Sequence, residues 1–573
     1  MNNLKIQISG FMKLTAIAVF VLQAGIPAKA QSKVEQQRAK QLLHKEEPSD
    51  AYLPHPDAKR SVSKAYYYKD ALVETHQVNV DANGQNIIGD AANEPSIAID
   101  TANPGRIIIG WRQFDNIASN FRQAGYAYSH DGGQSWTFPG SINAGIFRSD
   151  PVIDIDSEGT FYYNSLTSSD GNYTCKVFRS YDGGITWDEG VEAKGGDKQW
   201  MVIDRTDGPG KDNNYSFWTM SWTSCYPGNF TRSVNKGDSY SPCVAVTGEP
   251  YWGTLAVAQN GDLYIAGASW SGIQVSRSVN AKDRLVTPSW DMNTDVDMGG
   301  EMTYGPTVNP VGLLGQASIV TDHSAMASNG NVYVLASILR NNGDPGDVMF
   351  SRSLDGGQSW SEAKRINQDI SVTKTQWFGT MSIAPNGRLD AVWLDTRDAP
   401  SNLSRMSALY YSWSDDQGET WSPNQRISEL FDPHIGWPNQ QKMGDYFHMI
   451  SDNQGAHLAW ANTLNGGQDV YYTRIALDIT NVAAVEDARI LASVFPNPVN
   501  NKLFLSFQMN QPGIVDIDLS DALGSVVLKE PGVACGPGTH HKEFDVSNLQ
   551  NGMYFCKVRT AGAEKTLKVI VFN

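Results

Sequence analysis

The sequence predicts an all-β protein, a seven-bladed β-propeller (alternatively six-bladed) followed by a small C-terminal β-sandwich. Three observations carry this reading. From about residue 71 to 478, short β-rich runs alternate with Gly, Asn, Asp and Ser turns, and helical periodicity is nearly absent, the pattern of many short antiparallel strands. A box of the form Ser-x-Asp-x-Gly-x-Ser/Thr-Trp recurs as SHDGGQSW (129–136), SYDGGITW (180–187), SLDGGQSW (353–360) and SDDQGETW (414–421). With two worn copies, SVNKGDSY (233–240) and SVNAKD (278–283), the boxes step by 51, 53, 45, 75 and 61 residues, periods that suit one four-stranded blade each.

The chain opens with Lys5 and Lys13 ahead of an apolar run from Leu14 to Leu22 and small residues around Ala28 and Ala30. This predicts a secretory signal over residues 1–30, cleaved before Gln31. The apolar run is far shorter than the roughly 20 residues a bilayer crossing needs, so no transmembrane segment is expected in the mature chain. Residues 31–70 are polar and Pro-interrupted and read as an arm.

The blades follow over 71–478. Seven runs open them: EPSIAID (94–100), DPVIDID (150–156), KQWMVID (198–204), WGTLAVA (252–258), HSAMAS (323–328), FGTMSIA (378–384) and YFHMISD (446–452). Most are followed by a Gly turn and an apolar second strand, a third strand that runs into the box, and a fourth after the box tryptophan. The seventh unit stops after three strands, and VETHQVNV (73–80) is expected to supply its outer strand and close the ring.

In each box the Asp (Asp131, Asp182, Asp355, Asp416) accepts backbone N–H bonds, a Gly allows positive φ and the Trp (Trp136, Trp187, Trp360, Trp421) packs. Repetition argues for a brace, because a catalytic site needs each group once. The motif resembles the Asp-box, or bacterial neuraminidase repeat, of sialidase-like β-propellers, over roughly residues 90–476.

If the boxes occupy one face, the unrepeated segments leading into each first strand occupy the other. There lie carboxylates, arginines and aromatic rings, a set suited to sugars and to glycoside cleavage. The resemblance implies an exo-glycosidase of sialidase type, with arginines clamping a substrate carboxylate, a tyrosine nucleophile paired with a glutamate, and an aspartate acid. Placed by inferred position, the candidates are Tyr446, Glu94 and Asp150 for catalysis, Arg112, Arg148, Arg340 and Arg397 for the clamp, and Trp252 and Trp377 for stacking. The Phe/Tyr-Arg-Ile-Pro segment of sialidases is missing; FRSDP (147–151) is a partial echo. The alternatives are a non-catalytic propeller that binds a glycan or protein, and a polysaccharide lyase using His323, Tyr446 and Arg340. Lys198 beside Asp197 reads as a solvated pair, and His323 as a general base, a metal ligand or a structural histidine.

Residues 479–493 read as a linker. Residues 494–573 begin a new composition at SVFPNPVNNKLFLSFQ, with alternating apolar positions that indicate a β-sandwich. Phe495-Pro496-Asn497-Pro498, FDVSNLQNGMYFCKV and the closing KTLKVIV resemble the C-terminal sorting domain of the type IX secretion system of Bacteroidetes. This implies export through the outer membrane, release or attachment at the surface, and a secretion-machinery partner. A monomer that meets an extracellular glycan or glycoprotein is expected. Net charge −16 and the absence of a Lys/Arg run exclude bulk nucleic-acid binding. Among five cysteines, Cys535 with Cys556 and Cys175 with Cys225 are the expected pairs; no CxxC or HExxH supports zinc. No cofactor is expected, although a structural calcium held by loop oxygens stays open.

Overall fold

The computed structural model describes residues 50–52, 61–169, 171–269, 272–402, 404–477, 490–509, 512–521, 524–560 and 563–572. The predicted signal, most of the arm and most of the linker lie outside them.

Seven antiparallel sheets follow one another along the chain. Blade 1 is Ala91–Ile99, Ile107–Phe114, Gln123–Ser129 and Thr137–Ile142, and blade 2 is Ser149–Ile155, Phe161–Ser169, Asn172–Ser180 and Val191–Lys194. Blade 3 has three strands, Trp200–Ile203, Asn214–Phe217 and Phe230–Ser233. Blade 4 is Tyr251–Val257, Leu263–Ser269, Gly272–Ser278 and Met292–Val296. Blade 5 is Ser318–Thr321, Val332–Arg340, Asp347–Ser353 and Lys364–Arg365, and blade 6 is Gln376–Ile383, Leu389–Asp395, Ala408–Ser414 and Gln425–Arg426. The seventh sheet runs His448–Asp452, Gly455–Asn462, Asp469–Ala476, then Val73–Gln77 and Tyr67–Lys69. Its outer strands come from the amino-terminal side, as VETHQVNV predicts. Each first strand packs on the first strand of the next blade, and that of blade 7 on that of blade 1, so the ring has seven blades.

Polar side chains stitch these innermost strands together. Ser96 Oγ accepts the Ile153 amide (3.0 Å), Asp154 Oδ2 that of Ile203 (2.7 Å), Thr254 Oγ1 that of Ile319 (3.1 Å), Ser382 Oγ that of Ser451 (2.9 Å) and His448 Nδ1 that of Ile97 (3.2 Å). An edge amide facing a channel needs such a partner.

The boxes brace neighbouring blades. Ser129 Oγ donates to Asp131 Oδ1 (2.7 Å), which also accepts the Ser135 amide (3.0 Å). Asp182, Asp355 and Asp416 repeat this, and Asn235 substitutes for Asp in blade 3. Trp136 packs on Tyr472 of blade 7, Trp187 on Tyr126 of blade 1 and Trp421 on Phe350 of blade 5, at centroid distances of 5.3, 5.5 and 5.3 Å. Trp360 packs against the apolar cluster shared by blades 4 and 5.

Two expectations change. The first strand of blade 5 is Ser318–Thr321, and HSAMAS lies in the turn after it; an insertion rich in Gly and Pro before residue 318 hides the run ASIVT and explains the 75-residue step. The cysteines also pair differently: Cys225 bonds Cys243, and Cys175, Cys535 and Cys556 are buried thiols. Cys535 lies opposite Gly513 and Cys556 opposite Leu519 of one strand, which puts them about 20 Å apart along it. The disulfide ties a loop to the segment that takes the place of a fourth strand in blade 3, where Val244 bridges Phe230. With its cysteines separated by 18 positions in sequence, Cys243→Ser is expected to cost about 3 kcal/mol, read as a lower urea midpoint.

The C-terminal unit consists of two sheets. One is ordered Ile490–Phe495, Lys502–Met509, Gly538–Asp545; the other Val526–Cys535, Gly513–Asp521, Gly552–Thr560, Ala563–Val571. Leu503, Leu505, Phe507, Val515, Ile517 and Val558 fill the core between them.

Candidate functional site

The first strands begin with an unusual backbone. Glu94, Asp150, Lys198, Trp252 and Phe378 have φ of 53°, 47°, 54°, 53° and 56°, the left-handed region that non-glycine residues seldom occupy. Pairing slips by one residue between Asn93 and Ser96, Tyr251 and Thr254, and Trp377 and Thr380. A bulge of this kind re-aims a side chain.

In blades 1 to 3 the re-aimed side chains meet. Arg112 Nε lies 3.2 Å from Glu94 Oε2, and Lys442 Nζ lies 3.2 Å from Glu94 Oε1 and 2.7 Å from Asp445 Oδ2. Lys198 Nζ lies 2.8 Å from Asp445, 3.6 Å from Asp150 and 3.7 Å from Asp197. These seven side chains are 0% to 3% exposed. Three cations thus face four carboxylates. Burial raises the Glu94 carboxyl to about 8, against the opposing pull of Arg112, Lys442 and Lys198, and with Glu94 protonated the cluster is neutral. Burial opposes the charge on Lys198, but Asp150, Asp197, Asp445 and Glu94 hold its pKa well above the ordinary lysine value. Tyr446 donates its hydroxyl to Pro151 O (2.9 Å); burial first, then Glu94 and Asp150, keeps the phenol protonated.

Of the predicted residues, then, Glu94, Arg112, Asp150 and Tyr446 come together. The other three arginines do not join them. Arg148 lies over the Phe178 ring (4.8 Å), Arg340 donates to Met298 O (2.6 Å), and Arg397 pairs with Asp395 (2.6 Å) over the Tyr410 ring (4.2 Å). No convergent arginine clamp forms. Trp252 and Trp377 are buried against Tyr251 and Phe378 and present no ring face to solvent. Lys198 and Asp197 are buried network members, contrary to the solvated pair expected. His323 donates Nε2–H to Val257 O (2.7 Å); desolvation of the ring holds its pKa below the ordinary histidine value, against the opposing effect of this bond.

Lys442 and Asp445 escaped sequence reading. They lie in the long link between blades 6 and 7, fastened over the strand-leading end of the ring by Arg112 to Gln440 (3.2 Å), Asn309 to Gly444 O (2.8 Å) and the Leu313 amide to Asp445 (2.8 Å). Their i,i+3 spacing was the available signal.

A cavity of about 420 Å³ occupies the centre of the ring. Trp200, Gln316, Phe378 and Tyr446, all buried, line one end; exposed Thr101, His323 and Pro385 and half-exposed Arg205 line the other. Ile99 lies opposite Ile107 and Ile107 opposite Ser129, the first residue of a box. The accessible end is therefore on the box face, opposite the face on which the sequence places the candidate site. Among the described residues no group of three or more His, Cys, Asp and Glu is arranged to hold a metal ion, and no helix is long and apolar enough to cross a membrane.

The fold and its centre define a seven-bladed β-propeller followed by a β-sandwich. Residues 493–572 match the family described as the secretion system C-terminal sorting domain, which marks the chain for type IX export across the outer membrane, to release or surface attachment. No curated protein matches the chain. Among solved structures it is similar to a protein of unknown function from Dyadobacter fermentans (13% identity, 70% of this chain and 98% of that one, TM-score 0.40). It is also similar to a Trypanosoma rangeli sialidase (10%, 90% and 91%, 0.37) and to an α-L-arabinofuranosidase of Fusarium graminearum (12%, 57% and 93%, 0.31).

Proposed function

We propose that this chain is an exported propeller that binds an extracellular glycan and does not cleave it. One observation carries the reading: the four candidate catalytic groups that meet, Glu94, Arg112, Asp150 and Tyr446, are buried and engaged with other groups of the protein. A glycosidase needs an acid and a base or nucleophile flanking the scissile bond, within hydrogen-bond reach of substrate. Here the tyrosine hydroxyl is committed to a backbone carbonyl and the carboxylates to Lys198, Lys442 and Arg112. The cavity supports binding: its volume falls in the ligand-pocket range of about 300–1,000 Å³, and it combines aromatic rings with hydrogen-bonding side chains.

The test is a pair of measurements on the full chain. Fluorogenic sialosides and arabinosides are expected to stay intact over hours, while a glycan array gives specific retention. Turnover that disappears in Tyr446→Phe and Glu94→Gln would restore the hydrolase reading, and an empty array would remove the binding one.

A further inference from the structure

The floor of the central cavity holds a side chain that the fold leaves unserved. Gln316, 5% exposed, lines the cavity just ahead of the first strand of blade 5, and neither its Oε1 nor its Nε2 has a hydrogen-bond partner among the described residues. Ser451, in the cavity wall from blade 7, likewise has an unpartnered buried Oγ. Burying an amide or hydroxyl without a partner is costly, and leucine would fill the position of Gln316 without that cost. Nearby, His448 accepts the Ile97 amide at Nδ1 (3.2 Å), which fixes its proton on Nε2. Trp200 stands edge-on to His448, centroids 5.3 Å apart. Amide, hydroxyl, imidazole N–H and indole ring together suit a ligand with hydroxyls around an apolar-faced ring.

The charge of the cavity narrows the ligand. Arg205 pairs with Asp154, whose other oxygen accepts the Ile203 amide (2.7 Å), and His323 is spent on Val257 O. A ligand carboxylate would meet Asp154 and no uncommitted cation. We propose that the central channel, entered from the box face, binds one uncharged, hydroxyl-rich sugar ring with Gln316 as its polar anchor. This rests on the glycan-binding reading and specifies its location and ligand class.

Calorimetric titration of the full chain with galactose, glucose, mannose, arabinose and N-acetylglucosamine, and separately with sialic and glucuronic acids, tests it. One-site saturation by at least one neutral sugar and by neither acid is expected. Gln316→Leu weakens that binding at least ~10-fold, the loss of about one well-made hydrogen bond, while Tm holds or rises by roughly 1–3 °C. Thr101→Trp, an exposed change at the mouth, weakens it without touching the floor. A neutral sugar bound equally by both variants overturns the channel site and leaves glycan binding standing. Saturation by acids alone overturns the ligand class. Silence with every sugar means the cavity holds only water and overturns the proposal, whereas the array decides the broader reading independently.

Discussion

Lys198→Met is expected to destabilise the propeller by about 3–5 kcal/mol at neutral pH, the usual cost of stranding a buried charge. Lys198 is 0% exposed and sits among Asp445, Asp150 and Asp197. Removing it leaves two cations against four carboxylates, and the folded protein must take up protons to compensate. The loss therefore depends on pH. A buried acid whose folded pKa lies above its unfolded value contributes stability that is complete below the unfolded value and is lost as pH rises through the folded one. Glu94, raised by burial to about 8, already behaves this way in the native chain, losing stability between roughly pH 4.5 and 8. Lys198→Met should thus cost more at pH 8 than at pH 5. Glu94→Gln should do the opposite, leaving Tm near native at pH 5 and raising it at pH 9, because it removes the carboxylate that the site prefers protonated. Urea midpoints of Lys198→Met at pH 5 and 8, and melting temperatures of Glu94→Gln at pH 5 and 9, each set against the native chain, check this. A pH-independent loss for Lys198→Met would mean that the network is not electrostatically coupled.

The same residues mark what a sequence can and cannot disclose. Blade number, box positions and the closing strand at Val73–Gln77 follow from local signals: β-rich runs, turn residues, and a fixed period. Glu94, Asp150 and Tyr446 were found because each leads a first strand, and such positions share one end of a ring. Lys442 and Asp445 were missed because they sit in an irregular link and meet Glu94 across almost 350 residues of chain. Arg340 and Arg397 differ from expectation for a related reason: chain position fixes the end of the blade they occupy, but nearby carboxylates, Asp347 on the paired strand and Asp395 two residues earlier, decide where their side chains go. Gln316 was invisible, since an amide gains meaning only when its surroundings are seen to offer it nothing.

The seam that completes the ring provides the second large effect. Asn79, fully buried, donates Nδ2 to Asp469 Oδ1 (2.8 Å) and accepts the Val470 amide at Oδ1 (3.1 Å), beside the Val78 amide bonded to Val470 O (2.9 Å). A single side chain thus satisfies a carboxylate and a backbone donor where a strand from one end of the domain meets a strand from the other. Asn79→Ala leaves both without that partner in the interior and is expected to cost about 2–4 kcal/mol. Thr75→Ala, which removes only the contact with the Thr473 hydroxyl (2.9 Å), should cost about 1 kcal/mol. Burial holds Asp469 up at about 7, and the Asn79 bond opposes that rise. Without the bond the carboxyl moves further up, so the Asn79→Ala deficit grows as pH climbs past 7 and shrinks toward pH 5. Hydrogen exchange should place the weakening in the strands of blades 7 and 1, whose side chains share one apolar cluster around Val78, Ile97, Trp111 and Tyr472. Equal losses for Asn79→Ala and Thr75→Ala, or exchange that speeds up evenly in all seven blades, would show that closure is spread along the strand and does not depend on this one amide.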